Sequence, residues 1–180
     1  MKVLIDANVL YPTVMREIIL GVAAQGAFEP LWSERLLEEW ALAARKRNID
    51  DEMLARGEIT RLSVAWPKAS VTWGEGLEAR LWLPDPNDIH VLAAAIAGSA
   101  DVIITQNAKD FPRNILAEEG VSRADPDGFL FGIWQAQPDA VQLVSSRVLQ
   151  TARDLSGDDW TMRRLLKKAR LPRLAKALDA

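Results

Sequence analysis

The chain has no cysteine, which excludes a disulfide framework and a thiolate zinc site. It has a single histidine, His90, set in a helical stretch, where it reads as a helix-surface or packing residue rather than a base. No apolar run approaches the roughly 20 residues that span a bilayer. The N-terminal "MKVLIDANVL" meets an acid after one lysine, so it reads as a first strand and not as a signal peptide. Internal repeats and low-complexity linkers are also missing. A cytoplasmic protein without membrane attachment is the expectation. What remains is 180 residues of ordinary globular composition, enough for one compact domain with a small appendage.

Charge is unevenly spread. From Trp160 to the end there are seven Lys or Arg and one acid, so this tail carries +6 and the first 159 residues −9. So acidic a body does not draw in nucleic acid through its general field. A phosphate-bearing substrate would need cations bound in a site, or the basic tail, or both.

Hydrophobic periodicity gives a coarse map. "KVLI" is a buried strand ending at Asp6. Thr13 to Ala24 is helical with Thr13 as N-cap, and "FEPLW" is a short strand or an irregular connection. Ser33 caps a helix to about Lys46 whose apolar stripe is Leu36, Leu37, Trp40, Ala41 and Ala44. A further helix runs from Asp50 to about Val64. Val71-Thr72 and Arg80 to Leu83 have some strand character. Pro86 to Ala97 is helical, "DVIIT" is a second buried strand, Val121 to Ala124 a last one, and "DPDGFL" opens another helix. Only helices follow Pro138. Alternating strands and helices predict an α/β domain with a mostly parallel sheet.

In such a sheet the loops at the carboxyl ends of the strands gather on one edge, where ligands bind. Asp6 ends the first strand, and Asn107 and Asp110 follow "DVIIT". Asp85 and Asp88 lie in "PDPND", with a strand at Arg80 to Leu83 as their expected lead-in. Glu38 and Glu39 add a fourth source if their helix packs beside the first strand. Each has a plain structural alternative. Asp85 before Pro86 suits an N-cap and Asp88 a capping-box partner. Glu38 and Glu39, off the apolar stripe, suit solvent, and Asp110 suits a turn. Asp6 differs: an acid closing a buried strand is costly unless paired, protonated or bound to a cation.

Converging carboxylates repel and carry raised pKa values unless a cation intervenes. Hard oxygen donors suit Mg²⁺ or Mn²⁺. Such an ion binds phosphate oxygens, activates water and steadies a leaving oxygen, which is phosphodiester hydrolysis without a covalent intermediate. Loss of metal on mild acidification is the matching expectation.

Taken in order, "VLIDANVL", "SERLLEEW", "LPDPNDIHVLAAAI" and "VIITQNAKDFP" resemble the acidic motifs of PIN-domain nucleases, and most of all the VapC-type toxin ribonucleases of bacterial toxin–antitoxin pairs. The likeness covers residues 2 to 130 and is tightest from Pro84 to Pro112. It implies a PIN-like parallel sheet flanked by helices at 1–135 and a C-terminal helical extension at 136–180. It also implies cleavage of single-stranded or structured RNA dependent on Mg²⁺ or Mn²⁺, a cognate antitoxin as partner, and the homodimer common among such relatives. Residue by residue, Asp6 takes the place of the first, metal-binding acid. Glu39 takes the helix glutamate, with Glu38 one position off. Asp88 takes the third acid with Asp85 as accessory, and Asp110 the fourth; Asp6, Asp88 and Asp110 are the implied metal ligands. Asn107 stands where many relatives have an aspartate; its amide still orients water or substrate.

Three further readings compete or add. A PIN-like module with a weakened site would serve as an RNA-binding or interaction scaffold. An aspartate-dependent phosphatase also starts from an aspartate ending a first strand, but wants a second acid two residues on, where this chain has Asn8. In the tail, Arg163, Arg164, Lys167 and Lys168 share one helical face that suits solvent, an RNA backbone or an antitoxin. The seven tryptophans read mostly as core, with one or two left for a dimer interface.

Overall fold

Val3, Leu4 and Ile5 are wholly buried, as expected of an apolar strand with no polar face, and Lys2–Ile5 forms β1 at the centre of a sheet. Its neighbours are β2 (Glu29–Leu31) on one side and β3 (Val102–Ile104) on the other, with β4 (Ser122–Ala124) beyond β3. All pairs are parallel, with Leu4 opposite Leu31 and Ile103, and Ile104 opposite Ala124. The order β2-β1-β3-β4 means that the chain leaves β1 in one direction and returns to its other side. The crevice between the carboxyl ends of β1 and β3 is therefore a topological switch point.

The computed structural model describes residues 1–179 and divides them into two compact units, Met1–Tyr11 with Glu29–Ala124, and Pro12–Phe28 with the chain from Asp125 on. The first unit holds the sheet and the helices α1 (Ala7–Leu10), α3 (Glu34–Arg45), α4 (Ile49–Ala65), α5 (Glu75–Ala79), α6 (Ile89–Ala97) and α7 (Arg113–Glu118). The second is all helix: α2 (Thr13–Ala24), α8 (Pro126–Ala136), α9 (Pro138–Ser156), α10 (Met162–Lys168) and α11 (Pro172–Ala177). Among the described residues no helix is long and apolar enough to cross a membrane.

Local chemistry sets the boundaries. Ser33 Oγ accepts from the Leu36 N–H at 3.2 Å, Asn48 from Asp51 at 2.8 Å and Asp125 from Gly128 at 2.8 Å, so α3, α4 and α8 begin at side-chain caps. α9 stops at Gly157, whose φ of 69° is the left-handed conformation that glycine adopts without strain.

Several expectations are corrected. Thr13 opens α2 as its first residue; the N-cap is Pro12, with no capping side chain. Residues 7–10 make a short helix directly after Asp6. For "FEPLW" the short-strand alternative holds, as β2. Neither Val71-Thr72 nor Arg80 to Leu83 is a strand. Ser70 makes only an isolated bridge to Trp32, and α5 occupies 75–79, because two glycines and two glutamates leave no alternating apolar face to bury. Of the seven tryptophans, Trp32 and Trp40 are core, while Trp82 is 65% exposed and the others are half-buried.

Candidate functional site

Four segments of the first unit deliver polar side chains to the carboxyl edge of the sheet. Asp6 follows β1 and is 7% exposed. Its Oδ2 accepts from Thr105 Oγ1 and from Asn8 Nδ2, each at 2.7 Å. Asn8 Oδ1 accepts from the Gln106 N–H at 3.0 Å, and Thr105 Oγ1 accepts from the Asn107 N–H at 2.9 Å. The loops leaving β1 and β3 are thereby laced together across the switch point. Burial raises the Asp6 carboxyl above its usual range. The bond from Thr105 lowers it in part, and the nearby Glu39 charge raises it again.

Asp85 and Asp88 come from a single 3-10 turn, Pro86–Asp88, that leads into α6. Asp85 caps that turn, accepting from the Asn87 N–H at 2.9 Å. Asp88 makes no reciprocal capping bond, so the capping-box alternative for it does not hold. It is half-buried and pushed up to about 6, first by desolvation and then by the charges of Asp6, Asp85 and Asp110. Charges on three stretches of chain thus act on this one carboxyl. Asp110 closes a 3-10 turn after β3 and accepts a hydrogen bond from Asn107 Nδ2.

Glu38 and Glu39, adjacent on α3, part company. Glu38 turns to α4, where Arg56 grips it at 2.8 and 2.9 Å and holds its carboxyl below the usual range. Glu39 turns toward α6: its Oε1 stands 2.7 Å from His90 Nε2 and 3.8 Å from Arg35 Nε. The carboxylate lies off the line of the ring N–H, so the contact is close but neither ring nitrogen of His90 has an aligned hydrogen bond. His90 is 1% exposed and belongs to the packing beneath the site. The sequence reading passed over Thr105 and Gln106 and weighed Asn8 only as a missing acid, although polar residues directly after buried strands are a readable signal.

The basic face of the tail lies in the second unit. Arg163 is paired with Asp179 at 2.7 Å, Arg164 and Lys168 lie over the Trp160 ring, and Lys167 is exposed.

The donor chemistry is all oxygen, and no lysine or arginine of the first unit forms an ion pair with Asp6, Asp85, Asp88 or Asp110. Such a set fits a hard divalent cation, whose charge would relieve the repulsion that raises Asp88. Among the described residues no three acidic or histidine side chains are already closed into a metal cage. Like charges hold themselves apart, Asp6 Oδ2 is engaged by Thr105 and Asn8, and Asp110 by Asn107.

A family model described as PIN domain matches residues 2–109. The span takes in Asp6, Glu39, Asp85, Asp88 and Asn107 and ends one residue before Asp110. No curated protein and no solved structure matches the chain.

Proposed function

The chain belongs to the PIN-domain family, and from that premise we propose that it is an Mg²⁺- or Mn²⁺-dependent endoribonuclease, the VapC-type toxin of a type II toxin–antitoxin pair. The observation that carries the reading is the Asp88 carboxyl at the sheet edge, pushed up to about 6 where burial and three other carboxylates oppose its charge, His90 only partly offsets them and no arginine of the first unit answers them. A protein keeps such a site at a cost in stability when a cation is its ligand.

In this reading Asp6, Asp88 and Asp110 hold the metal, Asp85 and Asn107 assist, and Glu39 completes the acidic wall. The divalent ion, when bound, supplies Lewis acidity toward a phosphate oxygen and a water of lowered pKa. The chain's own residues do the positioning. Thr105 and Asn8 fix the rotamer of Asp6 through its Oδ2, and Asp85 shapes the turn that presents Asp88. The Asn107 side chain orients Asp110. Glu38, held by Arg56, has a structural part. A cognate antitoxin, a homodimer and a cytoplasmic location complete the proposal, with residues 136–180 as a helical extension of the nuclease domain.

The test is cleavage of RNA by the purified protein in Mn²⁺, with chelator and with Asp6→Asn and Asp88→Asn as controls. Cleavage that survives both substitutions and the chelator sinks the reading. A second reading, a PIN-like scaffold with a weakened site, draws on Asn107 and on the lack of a preformed cage among the described residues. Calorimetric titration with Mn²⁺ separates the two, because a dead scaffold binds no metal at these carboxylates.

A further inference from the structure

Helix α10 carries four cations and no acid in seven residues, and α11 adds Arg173 and Lys176, again with no acid. Leu165 and Leu166 are buried, so Arg163, Arg164, Lys167 and Lys168 form the outward arc. The arrangement works against the helix itself. Arg163 and Arg164 sit in the first turn, where the macrodipole disfavours cations. The pairs 163/167 and 164/168 put like charges one turn apart. A face meant only for solvent normally interleaves acids at these spacings. Among the described residues the one acid that answers any of these four is Asp179, on Arg163.

Two of the remaining three cations, Arg164 and Lys168, lie over an aromatic ring. Trp160 is fixed by its Nε1–H donating to Ser156 Oγ at 3.1 Å and by its carbonyl accepting from Arg153 Nε at 2.8 Å. The Arg164 guanidinium lies 5.2 Å from the ring centroid and the Lys168 ammonium 4.9 Å, both within cation–π range. A similar set stands on the neighbouring helices, where Arg173 lies 5.2 Å over Phe131, which stacks on Trp134. Ordering long cationic side chains in advance lowers the entropy lost when an anion binds them.

We infer that the α10–α11 face of the second unit is a binding surface for single-stranded nucleic acid, gripping phosphates with Arg164, Lys167 and Lys168 beside the Trp160 platform. Cations interleaved with aromatic rings are the combination that single strands select, phosphate to cation and base to ring. A bilayer fits less well, because the outward arc of α10 offers no apolar side chain for insertion. The choice of RNA as the strand rests on the ribonuclease reading; the surface does not. The first unit holds 12 Lys and Arg against 17 Asp and Glu, so an RNA substrate gains little attraction from that unit.

The test uses the full chain carrying Asp88→Asn, in chelator, so that binding is read without cleavage. Fluorescein-labelled oligouridine is titrated by anisotropy across a salt series. Replacing Arg164, Lys167 and Lys168 together by Gln is expected to weaken binding at low salt about tenfold or more. It should also flatten the log–log salt slope by about 2, since each phosphate contact on a single strand contributes about 0.7. Trp160→Leu, checked for folding by circular dichroism, should weaken binding several-fold, and Arg163→Gln, already paired with Asp179, less than Lys168→Gln. An unchanged affinity and slope in the triple variant overturns the inference whatever the cleavage assay gives. So does equal competition by polyglutamate at matched charge, or tighter binding to phosphatidylserine vesicles than to RNA. Failure of cleavage in Mn²⁺ with RNA binding lost only in the triple variant leaves the inference standing and removes the nuclease reading instead.

Discussion

Asp6 and Asp127 are buried to nearly the same degree, 7% and 6% exposed, one in each unit. Their surroundings differ completely. Asp127 spends both oxygens on backbone donors, the Arg173 N–H at 2.8 Å and the Leu174 N–H at 3.0 Å, and so ties α8 to the start of α11. Those amides would otherwise lack partners at a helix N-terminus. Asp6 accepts from the side chains of Thr105 and Asn8 and from one backbone amide, that of Ala7, and stands near Glu39, whose charge opposes its own. Burial of an acid therefore says little by itself; the company it keeps separates a structural carboxylate from one awaiting a ligand. Glu38 and Glu39 repeat the lesson in adjacent residues, one clasped by Arg56 and the other set against His90, its charge felt by Asp6.

The sharpest way to break this contrast is to remove one oxygen charge from each side. Asp6→Asn should lower RNA cleavage in Mn²⁺ by about 100-fold or more, the scale of losing a group that organises charge at a reacting centre, while the variant still melts cooperatively. Asp127→Ala should leave cleavage per folded molecule within about twofold but destabilise the protein by about 2 kcal/mol, because two backbone amides lose an ionised acceptor. A gel assay read beside a urea melt gives both numbers. If Asp127→Ala loses activity without losing stability, the division into structural and functional acids is wrong.

How much of this was legible follows from range. The strands β1 and β3 and the acid that ends β1 could be read because a run of buried apolar residues is a local signal, and so is the cost of an aspartate closing it. Ser33 could be read as a cap, and "DPDGFL" as a helix start, for the same reason, since a cap acts within three residues. The lacing of Asn8 to Gln106, and of Thr105 to Asp6, joins positions almost a hundred residues apart, and nothing in either segment names the other. Residues 70–83 misled because Val71, Leu81 and Leu83 are apolar without any period, and tertiary contacts decided their shape. Asp127 was passed over since its partners lie on α11, 46 and 47 residues on.

Thr105→Val tests the lacing with a smaller effect. The substitution keeps the shape at the end of β3 but removes the hydroxyl that donates to Asp6 and accepts from the Asn107 N–H. Asp6 loses a bond that lowers its pKa, and its carboxylate loses a fixed rotamer. Outer-shell losses of this kind weaken metal binding about 10-fold or more, so the Mn²⁺ isotherm should shift by that amount while secondary structure is unchanged. An unshifted isotherm would show that Asp6 is positioned by its strand alone.

The smallest effect has a definite sign. Asp88 is pushed from 3.8 to about 6 in the folded protein. Between those values the folded state holds a proton that the unfolded state has released. The contribution of Asp88 to stability is therefore full below pH 4 and is lost as pH rises through 6. Asp88→Asn, which carries no charge at any pH, should make the metal-free protein more stable above pH 6. After allowance for solvent screening of a half-buried group, the gain is about 1 kcal/mol, and it should vanish below pH 4. Thermal melts in chelator at pH 4 and pH 7.5 measure both limits. Mn²⁺ should then reverse the order at pH 7.5, because a ligand that binds only the folded wild type raises its stability and leaves the variant behind. Melts of wild type and variant that stay parallel at both pH values and in Mn²⁺ would mean that the carboxylates of the sheet edge do not oppose one another, and Asp6 would then differ from Asp127 only in its address.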